Sequence, residues 1–483
     1  MSPEDFQRLG HRMVDWVADY MRRVESLPVL SESQPGDVLR ALPDAPPARP
    51  MPASGDSWEG VFADLDATIL PGITHWQSPG FFGFFPCNAT GPAILAELLS
   101  AGLGIQGMLW QTSPACTELE IRMLDWMAAL LGLPDRFRST SDNGGGVIQG
   151  TASESTLVAM VAARQRVRDA GHAADGLIAY CSEEAHSSVR KAAMICGVCR
   201  GVDDDAHLRA IRTDARHAMD PGALSEAMRE DRAAGRTPFY VCATIGTTST
   251  TAVDPVPAIA DAIDAAAEAG LRPWLHIDGA HALAACVCPE HRWMLDGVAR
   301  ADSICFNPHK WLLTNFDCDC FWTTDRRTLV NALSVTPEYL RNAPTDSGRV
   351  IDYRDWQIPL GRRFRALKLW FVMRHYGAEG LMAHVRRGVG LAEQFESLVG
   401  ADDRFEIAAP RTINLVCFRL KAGDDSTRAL LDRVNASGRA FLTHAQVDAR
   451  FTIRTAIGAV ATRARHVVET WELIRDTAAD VLD

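Results

Sequence analysis

The sequence predicts an α/β protein whose main sheet is covered by helices on both faces, followed by a small α+β domain. Between Gly91 and Trp370, short apolar runs rich in β-forming residues alternate with helical patterns and show little polar alternation. After Gly377, helical segments surround two further apolar runs. At 483 residues the chain is also too long for one ordinary hydrophobic core.

The first residues predict an amphipathic helix. Ser2 can cap it, Pro3 suits the first helical position and Asp5 falls in the first turn. Apolar side chains then recur at steps of three and four residues: Phe6, Leu9, Met13, Val17, Tyr20 and Val24. This pattern is not that of a signal peptide, so we expect a cytoplasmic protein. The next segment, 31–57, is rich in Pro, Ala, Gly and Ser and predicts an extended surface connection.

Six apolar runs predict strands. Four lie in the larger part of the chain: GLIAYCS (176–182), FYVCATIG (239–246), PWLHIDGA (273–280) and DSICF (302–306). Two lie near the C-terminal end: INLVCFRL (413–420) and FTIRTAIG (451–458). We therefore expect an N-terminal helix and linker in 1–90, a large domain in 91–370 and a small domain in 371–483.

Composition limits the classes of partner. The chain has 61 acidic against 49 basic residues, a net charge of -12, which argues against nucleic acid or an anionic membrane as the main partner. The most apolar window, 93–110, carries Glu97, Gln106 and several glycines, so we expect no membrane span. The twelve cysteines are scattered through apolar segments, which favours reduced core residues and no metal site.

One lysine lies in an unusual place. In SICFNPHKWLLTNFDCDC (303–320), Lys310 follows a predicted buried strand and precedes apolar Trp311, Leu312 and Leu313. Moving a charged amine out of water costs several kcal/mol, and the amine is then paired or loses its proton. A neutral amine is a nucleophile. The alternative is a lysine whose charged end reaches solvent from the end of the strand.

Two other motifs fit a nucleophilic lysine. In GGGVIQGTASESTLVAMVAARQRV (144–167), a loop with Thr151 and Ser153 directly precedes a helix, whose first N–H groups can hold a phosphate. In HIDGAH (276–281), Asp278 ends a strand, where open α/β sheets place ligands. Each motif has a simpler explanation, a capped helix or a capped loop. Together with Lys310 they predict a site for pyridoxal 5'-phosphate (PLP).

Several long motifs, in the same order along nearly the whole chain, resemble the PLP-dependent aromatic L-amino-acid decarboxylases. They are SPACTELE (113–120), GGGVIQGTASEST (144–156), AHSSV (185–189), HIDGA (276–280), NPHKW (307–311) and DYRDWQIPLGRRFRALKLWF (352–371). The resemblance implies the aspartate-aminotransferase type of fold (fold type I), with a mostly parallel sheet in the large domain. It also implies a homodimer with active sites at the subunit interface, in which the N-terminal segment packs on the partner.

The resemblance also implies residue roles. Lys310 should bind the aldehyde of the cofactor, and Asp278 should keep its pyridine nitrogen protonated. His186 should stack on one face of the ring and Ala280 should pack against the ring. Further positions match residues near the cofactor: Ala152, Ser153, Thr248, Asn307 and His309.

The proton donor is expected in the polar segment 334–350. Tyr339 there matches a tyrosine that decarboxylases of this family carry on a mobile loop reaching into the partner's active site. A phenol, with a pKa near 10 in water, can protonate the carbon from which carbon dioxide has left.

The substrate pocket is expected in THWQSPGFFGFFPCNATG (74–91), which is dense in aromatic residues. Trp76, Phe84, Phe85 and Cys87 are its candidate residues, and Gly361 matches a small residue linked in plant relatives to indole-accepting pockets. Five positions differ from the animal dopa decarboxylase pattern: Phe84, Cys87, Gln106, Met108 and His281. The preferred substrate therefore stays open among tryptophan, 5-hydroxytryptophan, dopa, phenylalanine and tyrosine.

Three alternatives to a decarboxylase of aromatic amino acids remain. An aldehyde synthase uses the same scaffold, but its members commonly lack the loop tyrosine or the stacking histidine, and Tyr339 and His186 are both present. A decarboxylase of glutamate needs a basic residue that the pocket segment lacks. A catalytically inactive binding protein has no need for both Lys310 and Asp278.

Overall fold

The computed structural model describes residues 1–49, 58–173, 176–267, 271–335, 342–346 and 349–483. Its first helices are α1 Pro3–Arg23, α2 Asp37–Ala41, α3 Glu59–Asp64, α4 Gly91–Leu103, α5 Pro114–Leu131, α6 Ala152–Asp169, α7 Ser188–Ile195 and α8 Pro221–Ala233. The later helices are α9 Val256–Ala265, α10 Pro308–Trp311, α11 Arg326–Leu333, α12 Ala343–Asp346, α13 Arg365–Gly400, α14 Asp424–Ala436 and α15 Ala464–Leu482.

Two sheets organise the molecule. The strands of the first are β1 Gly145–Gln149, β2 Leu177–Ser182, β3 Leu208–Ile211, β4 Thr237–Thr244, β5 Trp274–Asp278, β6 Ser303–Phe306 and β7 Asp319–Thr323. Those of the second are β8 Phe405–Ile407, β9 Leu415–Leu420, β10 Thr443–Val447 and β11 Arg450–Ala456. The first sheet has the order β1-β7-β6-β5-β4-β2-β3, and the second, fully antiparallel sheet has the order β10-β11-β9-β8.

The large sheet is mostly parallel, as the family resemblance implies. Strands β6, β5, β4, β2 and β3 pair in parallel, and β7 is antiparallel to both of its neighbours. Successive residues of β4 pack into different cores: Val241 and Ala243 into one, Tyr240 and Cys242 into the other. This alternation buries both faces of the sheet, which confirms the prediction of helices on both sides.

Each of the six predicted strand runs overlaps a strand of the structure. The segment that begins at Gly144 was expected to be a loop before a helix, but Gly145–Gln149 forms β1. Gly146 explains the difference, because a Cβ atom there would lie 2.7 Å from Cδ1 of Trp322 on β7, so the strand approaches its neighbour too closely for a side chain. The loop before α6 is therefore short.

The N-terminal helix begins as predicted. The Ser2 hydroxyl accepts a hydrogen bond from the Asp5 amide at 3.1 Å, and Pro3 is the first helical residue. The following connection is less extended than expected, since 37–41 form α2, and residues 50–57 lie outside the described structure. Helix α13 runs across the predicted domain boundary at residue 370 and has a non-helical break at Gly377, so the domain limits stay a prediction.

Among the described helices, none is long and apolar enough to cross a membrane. The described residues likewise contain no cluster of three or more His, Cys, Asp or Glu side chains that could hold a metal ion.

Candidate active site

A cavity of about 180 Å³ lies where β5 and β6 end and α6 begins. The parallel strands of the sheet bring their carboxyl ends to one edge, where the first turn of α6 also lies. Ten residues proposed from the sequence line this cavity: Phe85, Ala152, Ser153, His186, Thr248, Asp278, Ala280, Asn307, His309 and Lys310. Residues far apart in the chain are thus brought together by the fold.

Lys310 lies in the single-turn helix α10, directly after β6. Its amine has no hydrogen-bond or ion-pair partner among the described residues, and it lies 5.4 Å from the centre of the Phe85 ring. Burial lowers the pKa of Lys310, against an opposing effect of Asp278. The lysine therefore has the increased fraction of neutral amine that a nucleophile needs.

Asp278 is the last residue of β5 and is buried. One oxygen of its carboxylate, Oδ1, accepts a hydrogen bond from the Ala280 amide at 3.0 Å. The Cys305 thiol on the neighbouring strand lies 4.0 Å from the same oxygen. The carboxylate is thus held at the cavity by the turn that follows its own strand.

The first turn of α6 provides a site for an anion. Thr151, Ala152 and Ser153 line the cavity at the helix N-terminus, where the amide groups lack partners within the helix. Asn307 lines the same cavity, and its side-chain oxygen is buried without a hydrogen-bond partner. An unpaired buried polar atom and a helix N-terminus fit a phosphorylated, hydrogen-bonding cofactor such as PLP.

Two histidines at the cavity have defined tautomers. His309 Nδ1 accepts from the Cys318 amide at 2.9 Å, and His186 Nδ1 accepts from the Ser188 amide at 3.1 Å. Burial lowers the pKa of His309 to about 3 and also lowers the pKa of His186. Both rings are therefore neutral near neutral pH and carry their proton on Nε2.

The predicted substrate segment reaches the cavity only in part. Phe85 lines it, with its ring stacked on His281 at a centroid distance of 3.8 Å. Asn88 Nδ2 donates to the Lys310 carbonyl at 3.1 Å, which ties this segment to the lysine. Trp76 and Phe84 instead stack on each other at 5.5 Å and are partly exposed to solvent.

Two more predicted substrate residues lie outside the described lining of the cavity. The carbonyl of Cys87 accepts from Gln77 Nε2 at 2.7 Å. A Cβ atom at Gly361 would lie 3.2 Å from Gln106 Nε2. Tyr339, the expected proton donor, lies outside the described residues. The roles of all these residues stay predictions.

Sequence reasoning missed Thr244 and Gly246, which line the cavity, and it did not single out Arg454 on β11. The Arg454 guanidinium is buried 5.3 Å from the Phe85 ring centre and donates to the Thr248 carbonyl at 2.6 Å. It has no carboxylate partner in the described part of the chain. An arginine inside the apolar run FTIRTAIG was the available signal, because a charged residue in a buried strand has to be held by specific contacts.

An unpaired lysine, a strand-end aspartate and a helix N-terminus around one cavity define a PLP-dependent enzyme of fold type I. Residues 35–421 match the model of the pyridoxal-dependent decarboxylase conserved domain. The chain is 46% identical to tryptophan decarboxylase 2 of Oryza sativa subsp. japonica and 46% identical to phenylacetaldehyde synthase of Arabidopsis thaliana. Each alignment covers 100% of this chain. It covers 96% of the length of the tryptophan decarboxylase and 97% of the length of the phenylacetaldehyde synthase.

A solved structure agrees with these sequence relatives. The crystal structure of Oryza sativa TDC with PLP and tryptamine superposes with a TM-score of 0.94 and 42% identity, covering 100% of this chain and 99% of that chain. This chain belongs to the pyridoxal-dependent decarboxylase family.

Proposed function

We propose that this protein decarboxylates aromatic L-amino acids to arylalkylamines and carbon dioxide. The observation that carries the proposal is the cavity itself, where Lys310 faces the aromatic ring of Phe85 at 5.4 Å. Relatives that match the whole chain are named for tryptophan and tyrosine decarboxylation, which supports an aromatic substrate. Among the candidate substrates, tryptophan is favoured by Gly361, which matches the small residue linked in plant relatives to indole-accepting pockets.

The cofactor fits the residues of the cavity. The amide groups of the first turn of α6, with Thr151 and Ser153, would hold its phosphate, and Asp278 would hold its pyridine nitrogen. His186 and Ala280 would lie against its ring. When bound, PLP supplies an electron sink that lets the bond between Cα and the carboxylate break.

The chain's own groups prepare and finish the reaction. Lys310 offers an amine whose protonation is disfavoured by burial, so it can exchange with the amine of a substrate. Arg454 adds a buried positive charge beside Phe85, which favours a substrate with a carboxylate. Phe85 stacks on His281 and gives the aromatic side chain of the substrate a flat apolar surface. Tyr339 donates the proton that replaces carbon dioxide.

We also propose that the protein is a homodimer. Helices α1 and α4 form an apolar groove of about 640 Å³, in which Phe6, Leu95 and Leu98 are each more than half exposed. An exposed apolar groove of this kind is typical of an interaction surface. A second copy of the chain would cover it and bring the predicted loop tyrosine to the other active site.

The twelve cysteines are unpaired, which supports a reducing compartment such as the cytoplasm.

The test is a substrate comparison. Purified protein with added PLP is incubated with tryptophan, 5-hydroxytryptophan, dopa, tyrosine, phenylalanine and glutamate, and carbon dioxide, amine, aldehyde and hydrogen peroxide are measured. We expect carbon dioxide and amine in equal amounts from at least one aromatic substrate. Faster turnover of glutamate, or no carbon dioxide from any aromatic amino acid, would contradict the proposal. Aldehyde with peroxide as the main products would favour the aldehyde synthase.

A further inference from the structure

A buried acid lies beneath the cavity, and the cofactor-binding roles described above do not use it. Asp319 is the first residue of β7, is fully buried, and pairs in register with Gln149 of β1. Its Oδ1 accepts a hydrogen bond from the Ser155 hydroxyl. Its Oδ2 is buried and has no hydrogen-bond partner among the described residues. An ionised carboxylate in this position would leave one oxygen without compensation.

The groups around Asp319 also disfavour its ionised form. Burial is the largest effect and raises the pKa of Asp319 well above its ordinary value of 3.8, and the charges of Asp278 and Glu154 raise it further. The Ser155 hydrogen bond and Lys310 act in the opposite direction and do not overcome burial. The titratable groups that face it come from β5, β6, β7, α6 and α10: Asp278, Cys305, Cys320, Glu154 and Lys310.

Ser155 connects this acid to the cofactor site. It lies in the first turn of α6, just after Thr151, Ala152 and Ser153, which line the cavity. In the same turn Glu154 accepts from the Gly150 amide at 2.6 Å. The bond between Ser155 and Asp319 therefore attaches the first turn of α6 to the central sheet.

We propose that Asp319 is a positioning residue that acts in its neutral form, holding Ser155 and with it the first turn of α6 at the phosphate of the bound cofactor. In that form Asp319 adds no negative charge at the base of the cavity. The inference rests on the proposed roles of Asp278 and the α6 N-terminus. A second carboxylate charge at this depth would repel the phosphate, so the acid serves the site only while it keeps its proton.

The protonation state is tested by the stability of the apoprotein. In the unfolded chain Asp319 loses its proton near its ordinary pKa, whereas in the folded protein it keeps the proton to higher pH. The folded state then binds more protons, so Asp319 lowers stability as the pH rises. Asp319→Asn does not titrate, so it should have a higher Tm than wild type, by a margin that grows between about pH 5 and pH 8. A less stable variant, or a margin independent of pH, would overturn the inference.

The positioning role is tested by cofactor affinity, measured by equilibrium dialysis of each apoprotein against PLP. Ser155→Ala and Asp319→Ala should each weaken binding by about tenfold, since each loses the hydrogen bond and leaves a buried partner unpaired. Asp319→Asn keeps the Oδ1 acceptor and should bind PLP within about twofold of wild type. Wild-type affinity in Ser155→Ala, or an Asn variant as weak as Ser155→Ala, would overturn the proposal. Neither measurement uses turnover, so the substrate assay can fail independently of both.

Discussion

Lys310 and Lys368 show how the surroundings of a buried lysine determine its chemistry. Lys368 is buried and its Nζ lies 2.6 Å from Glu97 Oε1, whereas Lys310 lines the active-site cavity and has no such partner in the described structure. An amine without a partner is destabilised in its charged form by desolvation, which lowers the pKa of Lys310. Only Lys310 is therefore suited to nucleophilic chemistry.

We predict that Lys310→Ala abolishes turnover and the absorbance band of covalently bound cofactor, while the protein stays folded. The amine is needed for covalent exchange, and its removal also relieves an unpaired buried group. Absorbance spectra, circular dichroism and product assays would measure this. Lys368→Ala is the matched control and should instead lower Tm, because Glu97 loses its buried partner and keeps only the more exposed Arg363. Near-normal turnover by Lys310→Ala would show that another lysine binds the cofactor.

A second prediction at the residue scale concerns Tyr339. Tyr339→Phe keeps the ring but removes the proton, so loss of carbon dioxide can continue while protonation of Cα is delayed. We expect less amine and more aldehyde and hydrogen peroxide in air, and less aldehyde under argon. The product ratio in both atmospheres is the measurement. Clean amine formation at the wild-type rate in air would assign the proton to His186 or to water.

At the scale of elements, one buried ion pair joins the segments that carry the resemblance. Glu120 on α5 accepts from the Ile148 amide on β1 at 2.7 Å and forms an ion pair with Arg362 before α13. Both side chains are fully buried, and the Arg362 guanidinium lies 4.8 Å from the centre of the Tyr353 ring. The motifs SPACTELE, GGGVIQG and IPLGRRF therefore meet at one structural contact.

We predict that Glu120→Gln lowers the free energy of unfolding by about 3–5 kcal/mol, because it leaves the Arg362 charge buried without its carboxylate. Urea unfolding followed by circular dichroism would measure the loss. The exposed pair of Glu290 and Arg386 provides the control, and Glu290→Gln should have a much smaller effect because water solvates the remaining charge. Equal losses in the two variants would mean that burial does not determine the effect.

At the scale of the whole molecule, the apolar groove between α1 and α4 is exposed to solvent in a single chain. Leu98 on α4 is 51% exposed and Phe6 on α1 is 57% exposed, so neither helix face is buried within one chain. Leaving an apolar groove of about 640 Å³ exposed to water is energetically unfavourable. The arrangement supports association of two copies through their N-terminal parts.

We therefore predict that Leu98→Glu converts the proposed dimer into a monomer, since a charge would be buried in the interface. Sedimentation velocity at several protein concentrations would measure the mass. Activity should fall with the loss of the dimer if Tyr339 serves the partner's site. Leu39→Glu is the control, because Leu39 is 75% exposed and lies outside the groove. An unchanged mass for Leu98→Glu would place the interface elsewhere.

The sequence alone determined the fold class, the six strand runs and the central residues of the cavity. These features depend on local patterns: apolar runs predict buried strands, and Lys310, Asp278 and the α6 N-terminus each lie at or just after the end of a strand. Five strands were missed, because short runs with glycine or mixed polarity carry a weak local signal: β1, β3, β7, β8 and β10.

Only the tertiary structure decided which side chains surround the lysine and which of them are neutral. His281 Nε2 and Asn414 Oδ1 are 133 residues apart in sequence and 2.8 Å apart in space, and Arg454 reaches Phe85 from another sheet. The raised pKa of Asp319 depends on burial and on the charges of Asp278 and Glu154, which other elements of the fold bring near it. Hydrogen bonds and desolvation depend on residues that are distant in sequence, so a local sequence pattern does not predict them. The pKa values of these groups are therefore determined by the packing of the folded chain.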